Sequence, residues 1–104
     1  MTTSEFNEVM ERQLKYCVDL LGMKNQEYKG EIDRFHTFDV AAKLQGCTRK
    51  QALAGMMAKH SVSVYDMCAG GEYSLEKWAE KITDSINYLL LLRAMVEEEI
   101  KHEV

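Results

Sequence analysis

The sequence contains no proline, an odd number of cysteines and no long hydrophobic run. Without proline, no position is barred from a helix interior by a missing backbone donor. The three cysteines include no CxxC pair, which indicates free thiols and predicts a reducing, cytoplasmic location. The longest apolar run, from Tyr88 to Leu92, is too short to span a bilayer. The first residues show neither the basic nor the apolar segment of a signal peptide.

The chain also has fewer basic than acidic residues. It has 13 Lys and Arg residues against 17 Asp and Glu residues, which gives a net charge of −4. This balance argues against duplex nucleic acid or an anionic membrane as the main partner. An acidic protein that handles phosphates needs a metal ion or a local group of cations. The chain has 104 residues, of which 46% are hydrophobic and 29% are charged. This length and composition predict a single domain over residues 1–104.

Helical periodicity and capping residues predict an all-α chain without strands. The first helix is expected to begin near Thr2, which has capping-box spacing to Glu5, and to stop at Gly22. The apolar period then breaks, so residues 23–38 are expected to form a partly ordered connection. The positions predicted to form the core face of the first helix are Phe6, Val9, Met10, Leu14, Cys17 and Leu21.

Three further helices are predicted. A short one covers residues 39–45 and ends at Gly46, and a longer one is capped by Thr48 and ends at Gly70. The last follows Ser74 and runs for about 28 residues, or about 42 Å. Together they predict an antiparallel helical bundle of three main helices plus one short helix. Because residues 88–92 are apolar nearly all round, we expect a homodimer or homotetramer with residues 88–100 in the interface.

Two stripes of the last helix differ in polarity when projected at 100° per residue. The stripe predicted to face the core consists of Trp78, Ile82, Ile86, Leu89 and Val96. A second stripe, nearly opposite, consists of Glu76, Glu80, Asp84 and Asn87. It contains no Lys or Arg. Because it leads into Leu91 and Met95 rather than more charge, its C-terminal part is expected to be covered. A solvated face explains it about as well as an oxygen-ligated Mg²⁺ or Mn²⁺ does, and both interpretations stay open.

The preceding helix carries a polar group on the flank of its apolar face. Lys59 and Asp66 are more simply explained as a surface rim; the functional alternative has Lys59 contact phosphate and Asp66 supply a carboxylate. His60 lies at the centre of the apolar face, where a hydrogen-bonded core histidine is favoured over a metal ligand. On the first helix, Glu8 and Glu11 lie beside Arg12 and Lys15 on the face away from the core, and they are expected to be solvated.

The connection carries polar and aromatic residues of the kind that binding loops use, although the signal is unspecific. These residues are Lys24, Glu27, Tyr28, Arg34 and His36. The sequence has no catalytic Ser/His/Asp arrangement, phosphate-binding glycine loop or zinc-ligand spacing.

Four stretches, taken in order, carry a resemblance to a known family. They are Lys24-Asn25-x-x-Tyr28, residues 35–38 leading into 41–46, residues 56–63, and residues 76–89. Over about residues 20–97 the chain resembles the small phage-type branch of the all-α NTP pyrophosphohydrolases, the MazG-like superfamily. The order of the stretches and the final run from the acidic residues to Asn87-Tyr88 carry most of the weight.

The resemblance implies an oligomeric enzyme that uses Mg²⁺ (or Mn²⁺) on helix carboxylates to hydrolyse a nucleoside triphosphate to a monophosphate and pyrophosphate. It implies Glu80 and Asp84 as the catalytic, metal-binding pair, with Asp66 or Glu27 as a further ligand. The residues it implies for the substrate are Lys59, Asn87, Lys24, Asn25, Tyr28 and His36.

This sequence departs from the family pattern at two points. The acidic pair has ExxxD rather than ExxD spacing, and only Asp66 stands on the helix where the family has ExxE. The alternative is therefore a non-catalytic phage or prophage interaction protein that kept the bundle and lost the metal site.

Overall fold

The computed structural model describes residues 1–27 and 33–103, with the side chains of residues 1–22 and 33–101. Within these residues it contains helices and no strand, which confirms the all-α prediction. The helices pack against one another as a bundle. They are α1 (Thr3–Glu27), α2 (His36–Gln45), α3 (Arg49–Ala69) and α4 (Leu75–Glu103).

Three helices begin at the predicted caps. Thr2 Oγ1 accepts a hydrogen bond from the backbone N–H of Glu5 at 3.1 Å. Thr48 and Gln51 form a reciprocal capping box, with contacts of 2.9 and 3.2 Å. Ser74 Oγ accepts a backbone N–H from the first turn of α4 at 3.0 Å. Each cap satisfies a backbone donor that the helix cannot pair internally, at about 1 kcal/mol per cap.

Two predicted boundaries are wrong. α1 continues through Gly22 to Glu27, because a helical glycine costs only about 1 kcal/mol relative to alanine and does not by itself end a helix. α2 begins at His36 rather than Asp39. The earlier start follows from Asp33, whose carboxylate accepts the backbone N–H of Phe35 at 2.8 Å and so begins the turn that leads into α2. The predicted stop at Gly46 is confirmed, with φ at 66°.

α4 is the central helix of the bundle. It contacts α1 and α3, while α2 packs on α3. α3 runs antiparallel to α4, because Arg49 at the start of α3 lies beside Glu98 near the end of α4, and His60 lies beside Asp84. α1 packs beside α4.

The hydrophobic core lies between α2, α3 and the C-terminal half of α4. Leu53 and Met95 are fully buried, and Phe38 is nearly so. Tyr88 packs against this cluster with its ring edge-on to Phe38 at 6.5 Å. Burial at these positions removes apolar surface from water, which is the main stabilising contribution in a domain of this size.

Arg49 closes one end of this core. Its guanidinium lies 4.9 Å over the ring of Phe35. It also forms ion pairs with Asp39 at 3.7 Å, Glu98 at 3.1 Å and Glu99 at 3.5 Å. Burial opposes the charge of Arg49, but these carboxylates outweigh that cost and raise its pKa. One side chain thus joins the start of α2, the start of α3 and the end of α4.

The buried face of α4 is not the predicted one. Thr83, Asn87 and Met95 are 5%, 4% and 0% exposed, whereas Leu89, from the predicted core stripe, is 54% exposed. The other members of that stripe are half-buried: Trp78, Ile82, Ile86 and Val96. The polar stripe therefore does not lie opposite the core. Because α4 has apolar residues on most sides, its neighbours α1 and α3 decide which side is buried.

α1 is the least covered helix. Cys17 is buried, but Phe6, Met10 and Leu14 are 55%, 44% and 54% exposed. Their assignment to the core is wrong in this chain, because α1 has only α4 to pack against within the described residues.

We expect Leu53→Ala to lower the free energy of unfolding by about 2–5 kcal/mol, because it opens a cavity at a fully buried position. Leu44→Ala makes the same change at a side chain that is 82% exposed, and should alter stability by less than about 0.5 kcal/mol. Urea denaturation at one fixed protein concentration measures both variants. Equal effects would contradict the position of the core.

Candidate functional site

A groove of about 930 Å³ lies between α1 and the first turns of α4. Its volume is within the range of small-molecule sites, roughly 300–1,000 Å³. The α1 wall includes Arg12, Gln13, Tyr16 and Asp19. The α4 wall includes Glu76, Trp78, Glu80, Thr83 and Asp84.

One hydrogen bond joins the two walls. Gln13 Nε2 donates to Thr83 Oγ1 at 2.7 Å, and Thr83 is almost fully buried. On the α4 wall, Trp78 is held by an edge-on contact with Tyr73, with ring centroids 5.9 Å apart. These contacts fix the width of the groove and place an indole at its surface.

Both predicted catalytic carboxylates line the groove. Glu80 and Asp84 are one helical turn apart and therefore face the same way. The Glu80 side chain is 58% exposed, and Lys77 Nζ lies 3.9 Å away. Because such an exposed pair contributes little, this carboxylate remains available to a ligand. Asp84 is less exposed, at 26%.

Asp84 links the groove to the core through His60 and Tyr88. His60 Nδ1 lies 3.8 Å from Asp84 Oδ2, too long for a hydrogen bond, so the two interact as charges only when the imidazole is protonated. The His60 ring is 5.0 Å from the ring of Tyr88. Burial of Tyr88, and secondarily the charge of Asp84, raise the pKa of the Tyr88 phenol.

Asn87 is buried without hydrogen bonds. It is 4% exposed, and neither Nδ2 nor Oδ1 has a partner among the described residues. Leaving a buried amide unpaired costs about 1–3 kcal/mol. Asn87 follows Asp84 by one turn of α4 but is not among the residues that line the groove. A water, ion or ligand atom that reached its amide would satisfy it.

The other predicted site residues lie apart from this groove. Lys59 and Asp66 are exposed on α3 and are not among its lining residues. His36 is exposed at the start of α2, where it lines a separate depression with Thr37. The residues whose side chains lie outside the described part of the chain are Lys24, Asn25, Glu27 and Tyr28.

The described residues do not form a complete metal site. Among them, no group of three or more His, Cys, Asp or Glu side chains is placed to hold one ion. Glu80 and Asp84 provide two carboxylates. Mg²⁺ commonly binds to one or two carboxylates, substrate phosphates and waters rather than to an all-protein cage. The pair therefore fits a metal that arrives with a phosphate ligand, and does not fit a metal held by these residues alone.

The groove is electrostatically acidic. The carboxylates among its lining residues are Asp19, Glu76, Glu80 and Asp84, and the one cation among them is Arg12. An anionic ligand is repelled by this field unless it brings a cation.

The α1 wall was not predicted from the sequence, and Arg12 was expected beside solvated carboxylates. The available signal was the helical spacing of Arg12, Tyr16 and Asp19, which places a cation, an aromatic ring and a carboxylate on one flank. Which helix that flank would face could not be read from the spacing.

No family model, curated protein or solved structure matches this chain. The expectation drawn from the family resemblance therefore stays a prediction. In the described part of the chain, no helix combines the length and the apolar character that crossing a membrane requires.

We expect Asp84→Asn to lower the pKa of Tyr88, because it removes a charge that opposes the phenolate while the burial stays. Since folding raises this pKa, the stabilisation from neutral Tyr88 is complete below the usual value of 10.0 and is lost as the pH rises through the raised value. Alkaline ultraviolet titration measures the shift, with Tyr88→Phe in each background isolating the signal.

Glu76→Gln is the control for this titration, because it removes a carboxylate from the same groove that does not act on Tyr88. An unchanged Tyr88 pKa in Asp84→Asn would contradict the link between groove and core.

Proposed function

We propose that the protein is a nucleoside triphosphate pyrophosphohydrolase that acts in the groove between α1 and α4. The substrate would be a (d)NTP delivered with Mg²⁺ or Mn²⁺, and the products a (d)NMP and pyrophosphate. The main observation in support of this activity is that Glu80 and Asp84 line the same groove as Arg12, Tyr16 and Trp78. Carboxylates suit the metal of a polyphosphate, a guanidinium suits phosphate oxygens, and aromatic rings suit a nucleobase.

The acidic field of the groove supports a metal-bound nucleotide over a free one. A bare triphosphate would meet the carboxylates of Asp19, Glu76, Glu80 and Asp84, while the only cation among the lining residues is Arg12. The lysines that pair with Asp19 and Glu80 do so at the exposed surface, where such pairs contribute little. A divalent ion changes that balance, and the two carboxylates on one turn of α4 are then ligands rather than a source of repulsion.

The reaction breaks the anhydride bond between the α- and β-phosphates. The oxygen of a water adds to the α-phosphorus, pyrophosphate leaves, and a carboxylate accepts the proton of the water. Bound metal would neutralise phosphate charge and acidify the water. Glu80 and Asp84 would hold the metal–nucleotide and Arg12 would orient the phosphates. The amide of Asn87 would hydrogen-bond to a phosphate oxygen or a metal-bound water.

Several roles implied by the resemblance remain proposals on the described structure. Asp66 and Glu27 are proposed as further metal ligands, and Lys59 as a phosphate contact. The remaining proposed substrate residues are Lys24, Asn25, Tyr28 and His36. We also propose a cytoplasmic setting, where the free thiols of the chain stay reduced, and assembly as a homodimer or homotetramer.

A second candidate function is a non-catalytic interaction protein of a phage or prophage. It is favoured by the exposed apolar residues of α1, such as Leu14 at 54%, and by the lack of a three-donor group among the described side chains. Substrate turnover separates the two candidates, because the second predicts none.

We expect Mn²⁺ to bind weakly to the protein alone and about tenfold or more tightly with a non-hydrolysable nucleoside triphosphate analogue, because no three donors among the described residues are placed to hold one ion. Asp84→Asn should abolish that gain, while Glu8→Gln, an exposed carboxylate outside the groove, should keep it. Electron paramagnetic resonance of free Mn²⁺ measures both affinities. If the analogue increases Mn²⁺ affinity as much in Asp84→Asn as in wild type, Asp84 is not a ligand of the metal.

We expect release of pyrophosphate from at least one common or modified (d)NTP in the presence of Mg²⁺ or Mn²⁺. Asp84→Asn should lower kcat by about 100-fold or more, since it removes a metal ligand or proton acceptor. Arg12→Ala should mainly raise KM, by about tenfold, in keeping with one lost charged hydrogen bond.

Lys43→Ala, an exposed cation on α2 that is not among the residues lining the groove, is the control for Arg12. Lys59→Ala tests the contact implied by the resemblance: a rise in KM as large as that of Arg12→Ala would bring α3 into the site. Absence of pyrophosphate release from every (d)NTP would leave the interaction protein as the function.

A further inference from the structure

The imidazole of His60 lies beside a carboxylate that lines the groove, although His60 belongs to α3. Its side chain is 25% exposed, and the described residues provide no hydrogen bond to either ring nitrogen. This environment differs from the hydrogen-bonded core position that the sequence favours for His60. Its ring nitrogens are therefore available to a ligand.

Aromatic contacts hold this imidazole in place. The His60 ring lies 5.0 Å from the Tyr88 ring, with 37° between the two ring planes. Tyr88 in turn lies edge-on to Phe38 and packs against the hydrophobic core. The position of the imidazole is therefore set by the core and not only by the neighbouring carboxylate.

The gap between His60 and Asp84 suits two ligands of one ion better than a direct contact. His60 Nδ1 and Asp84 Oδ2 are 3.8 Å apart, which is beyond the length of a hydrogen bond. Nitrogen and oxygen ligands of Zn²⁺ lie about 2.0–2.2 Å from the ion, so two of them are about 3.0–3.6 Å apart at octahedral and tetrahedral angles. A small rotation of either side chain would close the difference.

The simpler use of these two groups is an ion pair, which forms only while the imidazole is protonated. The neutral imidazole instead offers a lone pair, and imidazole together with a carboxylate is a common ligand set for transition metal ions. The acidic groove beside Asp84 attracts a cation and so favours the second use.

We propose that His60 Nδ1 binds, together with Asp84, the divalent ion that enters with the nucleotide. This inference rests on the proposed function for the role of Asp84 and adds a nitrogen ligand from α3. Among the described residues, no third His, Cys, Asp or Glu side chain is placed to join the pair, so phosphate oxygens and waters complete the coordination. Glu80 is exposed, and its side chain would have to rotate to reach the same ion.

A nitrogen ligand changes which ion the site prefers. Mg²⁺ takes oxygen ligands and gives up its waters reluctantly, whereas first-row transition metal ions accept imidazole. Loss of the imidazole should therefore weaken the binding of Mn²⁺ more than the binding of Mg²⁺.

The test is pulsed electron paramagnetic resonance of bound Mn²⁺ at about pH 8, where free imidazole side chains are neutral. The probe is Mn²⁺ with protein in excess, alone and with the α,β-methylene analogue of each common dNTP. We expect the modulation of a directly bound nitrogen, and we expect it to change when the protein carries ¹⁵N-histidine. His60→Gln should remove this signal and raise the Mn²⁺ dissociation constant by about tenfold or more. The Mg²⁺ dissociation constant, measured by competition, should rise less.

The matched control is the double variant His36→Gln/His102→Gln, which leaves His60 as the only histidine of the chain. It should keep the nitrogen signal, and it assigns that signal to His60 even if His60→Gln loses its helical circular-dichroism signal. His60→Asp replaces the nitrogen with a carboxylate oxygen. This variant should recover Mn²⁺ affinity relative to His60→Gln without recovering the nitrogen signal.

Bound Mn²⁺ without a histidine nitrogen signal overturns the proposal, and so does a signal that the double variant loses. Weaker Mn²⁺ binding in His60→Gln without a nitrogen signal in wild type also overturns it, because His60 would then only orient Asp84. A protein that binds no Mn²⁺ under any of these conditions has no such site. The outcome is separate from hydrolysis: a nitrogen signal without pyrophosphate release keeps the ligand and rejects the proposed activity.

Discussion

The fold depends on the position of α4 between its two neighbours, α1 and α3. α3 packs on α4 along the core that contains Leu53 and Met95, and α1 packs near Thr83. On the side of α4 between them, Thr83 and Asn87 are buried although both are polar. This constraint buries Asn87 without hydrogen bonds. It also keeps Asp84 only partly exposed, while Leu89 stays on the outside.

Local signals in the sequence were enough for the helices but not for their faces. The caps at Thr48 and Ser74 and the stop at Gly46 predicted boundaries correctly, because capping involves residues within one turn of each other. The buried side of α4 could not be predicted in this way. With apolar residues on most sides, the helix has several acceptable orientations, and the contact between Gln13 and Thr83, 70 residues apart, selects one of them.

The candidate site was predicted on α4 and missed on α1 for a related reason. Glu80 and Asp84 are one turn apart, so their shared direction follows from helix geometry alone. Arg12 and Tyr16 reach the same groove only because α1 crosses the start of α4, which no local pattern encodes. Asn87 lies at the C-terminal end of the polar stripe, which was expected to be covered. Its burial agrees with that expectation, whereas its lack of hydrogen-bond partners could not be predicted from the stripe.

The uneven packing of α1 has a consequence for how the molecule opens. Arg49 ties α2, α3 and the end of α4 together with charge and ring contacts at one end of their core. α1 joins the bundle mainly along one side of α4. Local unfolding therefore separates the molecule into two cooperative units, with α1 opening at a lower free energy than the other three helices. In native-state hydrogen exchange, the amides of α1 would report that local opening, and those around Leu53 would report global unfolding.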